Sequence, residues 1–299
     1  MIAVALVLAG CLGVTGCSAL QRFIPPTFDT ETLNATSVKL DMPVVDGNRP
    51  FITVNATVGG GPSVPLLVDT GSPGVRIFAD KVGASGVVAT QTPVDVTFAD
   101  GTRFAGVEAS APVTFGGLET KGPINVQLIT AVSCADGKPD CAGSVGIAKF
   151  TQTQEFSGIL GIGMQAFDIY SPISQLQGGS PRSFSIAANS SVGSATMTFN
   201  TQPPAPQAAF RIPQWTDPQL ANGYPAWASN QVQACWAYRG QSTSCVPTAF
   251  DTGSPTLFTD GSVPGAPKST GPVPPGTPLS LSAEAGGPSI WSLTAGSTP

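Results

Sequence analysis

The sequence contains no histidine. Without an imidazole there is no Ser/His/Asp triad, no Cys/His dyad and no His-ligated zinc site, so any hydrolytic chemistry has to run on carboxylates. Charge is the second scarcity. Only 10% of the 299 residues are Asp, Glu, Lys or Arg, against roughly a quarter in ordinary soluble domains. The net charge of −5 argues against a nucleic-acid partner. A surface with so few ionisable groups gains little charge when carboxylates protonate, which suits work in acid. Cysteines at the Cys-x₂-Cys spacing of a zinc site are missing as well, and neither a metal nor another cofactor is expected.

Glycine and proline are plentiful instead, 35 and 29 residues, while apolar content holds at 41%. Such a chain is turn-dense and globular, built from short β-strands, and long enough for two lobes. Of its six cysteines, Cys134 with Cys141 and Cys235 with Cys245 form two local pairs. The first encloses only turn residues and the second encloses Gly240 in a hairpin, so both read as disulfides of an oxidising compartment. The remaining two lie near the start. Residues 2–14 are a short apolar run placed like a secretory signal, although no Lys or Arg precedes it. Leu8-Ala9-Gly10-Cys11 and Val14-Thr15-Gly16-Cys17 each resemble a lipoprotein cleavage box, which makes Cys17 or Cys11 the candidate lipidation site; the alternative is a plain secretory signal. Residues 1–17 are thus expected to be a leader and 18–45 a polar tether.

The most informative pattern occurs twice. Leu67-Val68-Asp69-Thr70-Gly71-Ser72-Pro73 runs an apolar strand into an acidic turn, and Ala249-Phe250-Asp251-Thr252-Gly253-Ser254-Pro255 does so again, 182 positions later. One Asp-Thr-Gly would be an ordinary hairpin turn. Two, each followed by Ser-Pro and an apolar pair, point to two-carboxylate chemistry. A pair of Asp side chains about 3 Å apart cannot both ionise and shares one proton, the behaviour on which aspartic proteases in general depend. The charged member takes a proton from water while its neutral partner donates one to a peptide carbonyl. Gly71 and Gly253 let the backbone approach the carboxylates. Thr70 and Thr252 are expected to stiffen the turns through their hydroxyls, and Ser72 and Ser254 to hold the outer carboxylate oxygens.

Alternation marks the other strands: residues 51–58 and 64–68, 94–98 returning through 104–107, 113–115, 124–129, 183–186, 195–199, 210–212, 226–238, 246–250, 279–281 and 290–293. The pair 94–98/104–107, turning at Asp100-Gly101, reads either as an ordinary sheet hairpin or as a lid over a cleft. Residues 172–176 are the best short-helix candidate. Ile159-Leu160-Gly161-Ile162-Gly163 is an apolar run in which Gly161 admits another backbone closely. Pro203, Pro204 and Pro206 mark a boundary between an N-terminal lobe, 46–202, and a C-terminal lobe, 203–299.

In this order, the pieces resemble the pepsin-like, bilobal aspartic endopeptidases over roughly residues 50–260. Among bacterial members the likeness is to the cell-envelope branch, including mycobacterial proteases that trim PE-type surface proteins. The resemblance implies an all-β bilobal fold with an inter-lobe cleft and Asp69 and Asp251 as the catalytic dyad. It implies that Ile159-Leu160-Gly161 packs behind the Asp69 loop, and that Phe98, Asp100 and Gly101 form a flap over the substrate. Phe98 stands where the family carries tyrosine. The second lobe shows no Ile-Leu-Gly counterpart after Asp251, so its closing half is expected to be missing from the chain. The function expected is an exported, monomeric endopeptidase acting on polypeptides, touching a membrane only through its lipid. The alternative is a catalytically silent envelope lipoprotein that binds peptides or wall components.

Overall fold

Strands account for nearly all regular structure in the computed structural model, which describes residues 31–201, 209–220, 222–241, 244–257, 263, 265–266 and 273–296. The expected leader, Cys11 and Cys17 within it, and the prolines at 203, 204 and 206 lie outside the described residues. The first half runs β1 (Thr36–Asp41), β2 (Thr53–Val58), β3 (Val64–Asp69), β4 (Pro73–Phe78), β5 (Val88–Thr97), β6 (Thr102–Ala111), β7 (Val113–Phe115), β8 (Leu118–Glu119), β9 (Ile124–Cys134), α1 (Gly146–Gln154), β10 (Gly158–Ile162), β11 (Phe184–Asn189) and β12 (Ser194–Phe199). The second half holds β13 (Gln214–Gln219), β14 (Pro225–Trp227), β15 (Val232–Tyr238), β16 (Ser244–Thr248), β17 (Pro278–Ser282) and β18 (Ser289–Thr294).

All strands of the first half join one sheet system in the order β11-β12-β1-β2-β3-β10-β4-β9-β6-β5, with β7 and β8 attached to β2. Its central strands are apolar on both faces, and every residue of β4 and β10 is buried, as suits strands covered on both sides. β10 runs parallel to β3, with Gly161 opposite Asp69, and antiparallel to β4. One face packs the aliphatic cluster around Leu40, Leu66, Ile77 and Leu160. The other packs aromatics: Phe78, Phe104, Phe150 and Phe156 meet edge to face at ring separations of 5.6–6.1 Å, the arrangement favoured by ring quadrupoles. Helix α1 contributes Phe150 to that cluster and ends at Glu155, whose left-handed backbone (φ 57°) returns its N–H to the Thr151 carbonyl.

Two expectations are corrected. The tether does not extend to residue 45, because residues 36–41 form β1, with Val38 and Leu40 buried and Leu40 opposite Ala195 of β12. Their alternation with Lys39 and Asp41 is the period of a half-buried strand. The strand expected at 210–212 starts instead at Gln214, after Pro213, which has no N–H to give a ladder. The short helix expected at 172–176 forms, as a 3₁₀ helix over Pro172–Gln175.

The second half is smaller. β13 pairs with β14, and a four-stranded sheet runs β16-β15-β17-β18 over a core of Trp236, Tyr238, Val246, Leu279 and Leu281. Both disulfides form, Cys134–Cys141 and Cys235–Cys245, the latter between directly opposed residues of β15 and β16. Asp251 follows β16, an edge strand with one neighbour. Among the described residues, no strand flanks this second acidic turn as β10 flanks the first.

Because Phe104 is 1% exposed and touches Phe78, Phe98 and Phe150, truncating it opens a cavity between β6, β4 and α1. Phe104→Ala is expected to lower the unfolding free energy by about 3–5 kcal/mol in urea titrations.

Candidate active site

Asp69 ends β3 and is 4% exposed. Its Oδ1 accepts from the Gly71 and Ser72 amides at 2.6 and 3.1 Å, and its Oδ2 from the Ser72 hydroxyl at 2.5 Å. The sequence places these donors there: Gly71 turns the chain tightly, and Ser72 supplies both an amide and a hydroxyl. Behind the loop, a Cβ on Gly161 would come within 2.6 Å of the Ser72 carbonyl oxygen and 2.7 Å of the Gly74 carbonyl oxygen. Only glycine allows this approach, as the apolar-apolar-Gly run suggests.

The second turn is held more sparsely. Asp251 Oδ1 accepts from the Gly253 amide at 2.7 Å. Ser254 does not hold the outer carboxylate oxygen as expected: its hydroxyl donates to the Thr256 carbonyl at 2.7 Å instead.

The two turns meet through their threonines. The amides of Thr70 and Thr252 each donate to the other's hydroxyl oxygen, at 3.2 and 3.0 Å. Thr70 Oγ1 donates to the Phe250 carbonyl at 3.0 Å, and Thr252 Oγ1 to the Val68 carbonyl at 2.7 Å. Each hydroxyl therefore braces the opposite turn rather than its own. The glycines make room for this contact. A Cβ on Gly71 would sit 2.4 Å from the Asp251 carboxyl carbon, and one on Gly253 would sit 2.8 Å from that of Asp69.

The Asp251 carboxyl lies against Gly71 and the Asp69 carboxyl against Gly253, which brings the two acids into position to share a proton through a hydrogen bond. Burial, the adjacent Asp251 charge and this shared hydrogen bond push the Asp69 pKa from 3.8 up to about 7, outweighing the donors from Ser72 and Gly71. A neutral Asp69 beside a second carboxyl can give one proton and accept another, which is the equipment for activating water.

Residues 37–299 match the family model of the PE-PGRS C-terminal aspartyl peptidase-like domain. The chain belongs to that family. Among solved structures it is similar to the crystal structure of the aspartic proteinase from Irpex lacteus, at 22% identity and a TM-score of 0.45, over 74% of this chain and 63% of that one. The chain thus spans less than two thirds of that proteinase. Comparison with curated proteins gives no match.

In this aspartyl peptidase-like domain the structure brings together Asp69, Thr70, Gly71, Ser72, Asp251, Thr252 and Gly253. Phe98, Asp100 and Gly101 are engaged elsewhere. Phe98 packs on Phe104 at 5.1 Å, and Asp100 accepts from the Thr102 amide and hydroxyl at 2.9 and 2.6 Å. Gly101 has φ 95° and gives its carbonyl to the Ala135 amide at 2.8 Å, and Lys138 Nζ donates to the Ala99 carbonyl. The tip is thereby fastened to the Cys134–Cys141 loop, and β6 pairs with β9 from Thr102 to Ala111.

Three polar residues near the site carry no motif. Gln165 donates to the Gly71 carbonyl at 3.1 Å and to the Ser229 hydroxyl, joining the first turn to the second half. Arg76 and Gln127 are buried and hydrogen-bonded to each other, and Arg76 Nη2 lies 3.5 Å from the carbonyl of Pro73, where the chain leaves the Asp69 turn. The only signal for these two in the sequence is a charged or amide residue inside an otherwise apolar strand, Pro73–Phe78 or Ile124–Cys134.

Thr252→Val removes one donor and one acceptor from the clasp and is expected to destabilise the protein by about 1–3 kcal/mol in denaturant titrations, whereas Thr252→Ser should keep most of it. Folded Asp69 holds a proton that the unfolded chain releases at its ordinary value of 3.8. The resulting stabilisation is complete below pH 3.8 and is lost as pH rises to about 7. Calorimetric melting temperature should fall across that window, and Asp69→Asn should flatten the fall.

Proposed function

We propose that the protein is an aspartic endopeptidase that hydrolyses peptide bonds with a water activated by Asp69 and Asp251. The observation that carries this reading is the contact of the two carboxyls, contributed by turns far apart in sequence and clasped through Thr70 and Thr252. Membership of an aspartyl peptidase-like family supports it. The pair takes the proton of the attacking water on its ionised carboxyl, and its protonated carboxyl donates to the carbonyl oxygen. The tetrahedral carbon then expels the amine as that nitrogen is protonated. With the Asp69 proton held to about pH 7, the singly protonated pair persists in acid and is lost above neutrality.

The substrate is an extended polypeptide. The protein acts as an exported monomer anchored by lipid on Cys17 or Cys11; two disulfides suit the oxidising compartment that export implies. A second reading, a binding protein of the same fold without catalysis, is favoured by one observation: Ser254 turns away from Asp251, whose side chain is exposed.

Cleavage of a quenched-fluorescent peptide library at pH 3–8 separates the two. The endopeptidase reading expects activity that falls as pH rises through about 7, and a loss of at least about 10²-fold in both Asp69→Ala and Asp251→Ala. Wild-type rates in either variant would end it. Peptide retention without cleavage would establish the binding protein.

A further inference from the structure

Arg76 stands on β4, the strand that leaves the Asp69 turn, and is 3% exposed. Its Nη1 donates to Gln127 Oε1 at 2.9 Å, its Nη2 lies 3.5 Å from the Pro73 carbonyl, and its buried Nε has no partner. No carboxylate among the described residues forms an ion pair with it. Gln127, fully buried on β9, spends its amide on the carbonyls of Val94 in β5 and Phe104 in β6, at 2.9 and 3.1 Å. A guanidinium taken out of water without a counter-charge is among the costliest placements a protein makes, so its surroundings have to supply a compensating field.

The elements packed around it hold few candidates. β10 and β9 carry no ionisable group apart from the disulfide-bonded Cys134. On the hairpin, Asp95 pairs with Arg103 on the exposed side, and Glu108 accepts from Asn125, also exposed. Lys149 of α1 faces solvent. There remain Asp69 on β3 and its partner Asp251. The Asp69 charge acts on Arg76, opposing the downward push that burial exerts on the guanidinium.

We propose that Arg76 is a positioning residue of the acid pair, its buried guanidinium supplying the positive charge that keeps one of two contacting carboxyls ionised while its hydrogen bonds tie the Asp69 turn, through Gln127, to the β5–β6 hairpin. A pair that activates water has to carry one negative charge in a dry setting, and burial alone drives it toward full protonation. The cation beneath the turn opposes that drive. It sets the pH at which the Asp69 proton is lost, the alkaline edge of the range over which the pair holds a single proton. Its bearing on catalysis rests on the peptidase reading of the pair; the electrostatic coupling does not.

The test is a carboxyl ¹³C NMR titration of the full chain labelled at aspartate, with Asp69→Asn assigning the resonance. Arg76→Gln keeps hydrogen bonding to Gln127 and removes the charge. It is expected to raise the Asp69 midpoint by about one pH unit or more, with the alkaline limb of peptide cleavage moving the same way and Arg76→Lys restoring both. A titration in Arg76→Gln superimposable on wild type overturns the proposal. If Arg76→Gln and Arg76→Met both fail to fold, Arg76→Met combined with Asp69→Asn decides: coupled charges predict recovery of a cooperative melt, and no recovery overturns the coupling. A wild-type chain without peptidase activity would remove the catalytic reading and leave the titration outcome standing.

Discussion

Two carboxyl groups pressed together in a protein cannot both be charged, and the organisation of this molecule follows from how that contact is kept. Two unit charges roughly 3 Å apart at an effective dielectric near 20 repel by about 5 kcal/mol. A single hydrogen bond of the threonine clasp contributes about 1 kcal/mol net. The clasp alone would hold a doubly ionised pair only marginally. A shared proton removes the repulsion and adds a hydrogen bond, so the pair and the clasp stabilise one another. The glycines enter for steric reasons: with a Cβ at either position the opposing carboxyl would have no space.

The two halves share this work unequally. Asp69 sits at the end of a strand flanked by β2 and β10 near the middle of a twelve-stranded sheet, with three donors on its carboxylate. Asp251 sits beyond an edge strand, exposed, with the Gly253 amide on its carboxylate. The rigid half therefore defines the geometry, and the second turn is referred to it through Thr70, Thr252 and Gln165. Such a division agrees with the general need to build reactive groups on elements whose own positions are over-determined. It also explains why burial and not ion pairing dominates the shift at Asp69: the deep half withdraws its carboxyl from water, and the shallow half delivers the second acid from outside.

Much of this is legible in the residues. The repeated acidic turn, the apolar run bearing Gly161 and both cysteine pairs are local patterns, each recognisable from a few neighbouring residues. What is not legible depends on long-range placement. Thr70 and Thr252 look in sequence like braces for their own turns, because a sequence shows a hydroxyl but not its partner, which lies 182 positions away. Ser254 repeats Ser72 in sequence yet finds the Thr256 carbonyl; among the described residues, no strand closes around the second turn as β10 closes around the first. Helix α1 offers only Ile147 and Phe150 as a stripe, with Thr151, Gln152 and Thr153 between it and its end, and such a pattern is too thin to mark a helix. β1 is hidden in a stretch rich in threonine, although Val38 and Leu40 alternate as a strand requires.

The scarcity of charge in the composition and the buried Arg76 next to the Asp69 turn belong to the same physical design. In a chain with 13 basic and 18 acidic residues, few groups contribute to the field at any buried point, and exposed ones are screened within about 10 Å at ordinary ionic strength. Asp95 and Arg103 satisfy one another at the surface. A surface with so few carboxylates changes its charge less between neutrality and acid than one with the usual share, so lowering the pH loads the fold with less self-repulsion. The response to pH is then marked at Asp69, whose state is governed by burial and by the adjacent Asp251 carboxyl. A highly charged surface would have spread that response over many groups and left the acid pair as one titration among many.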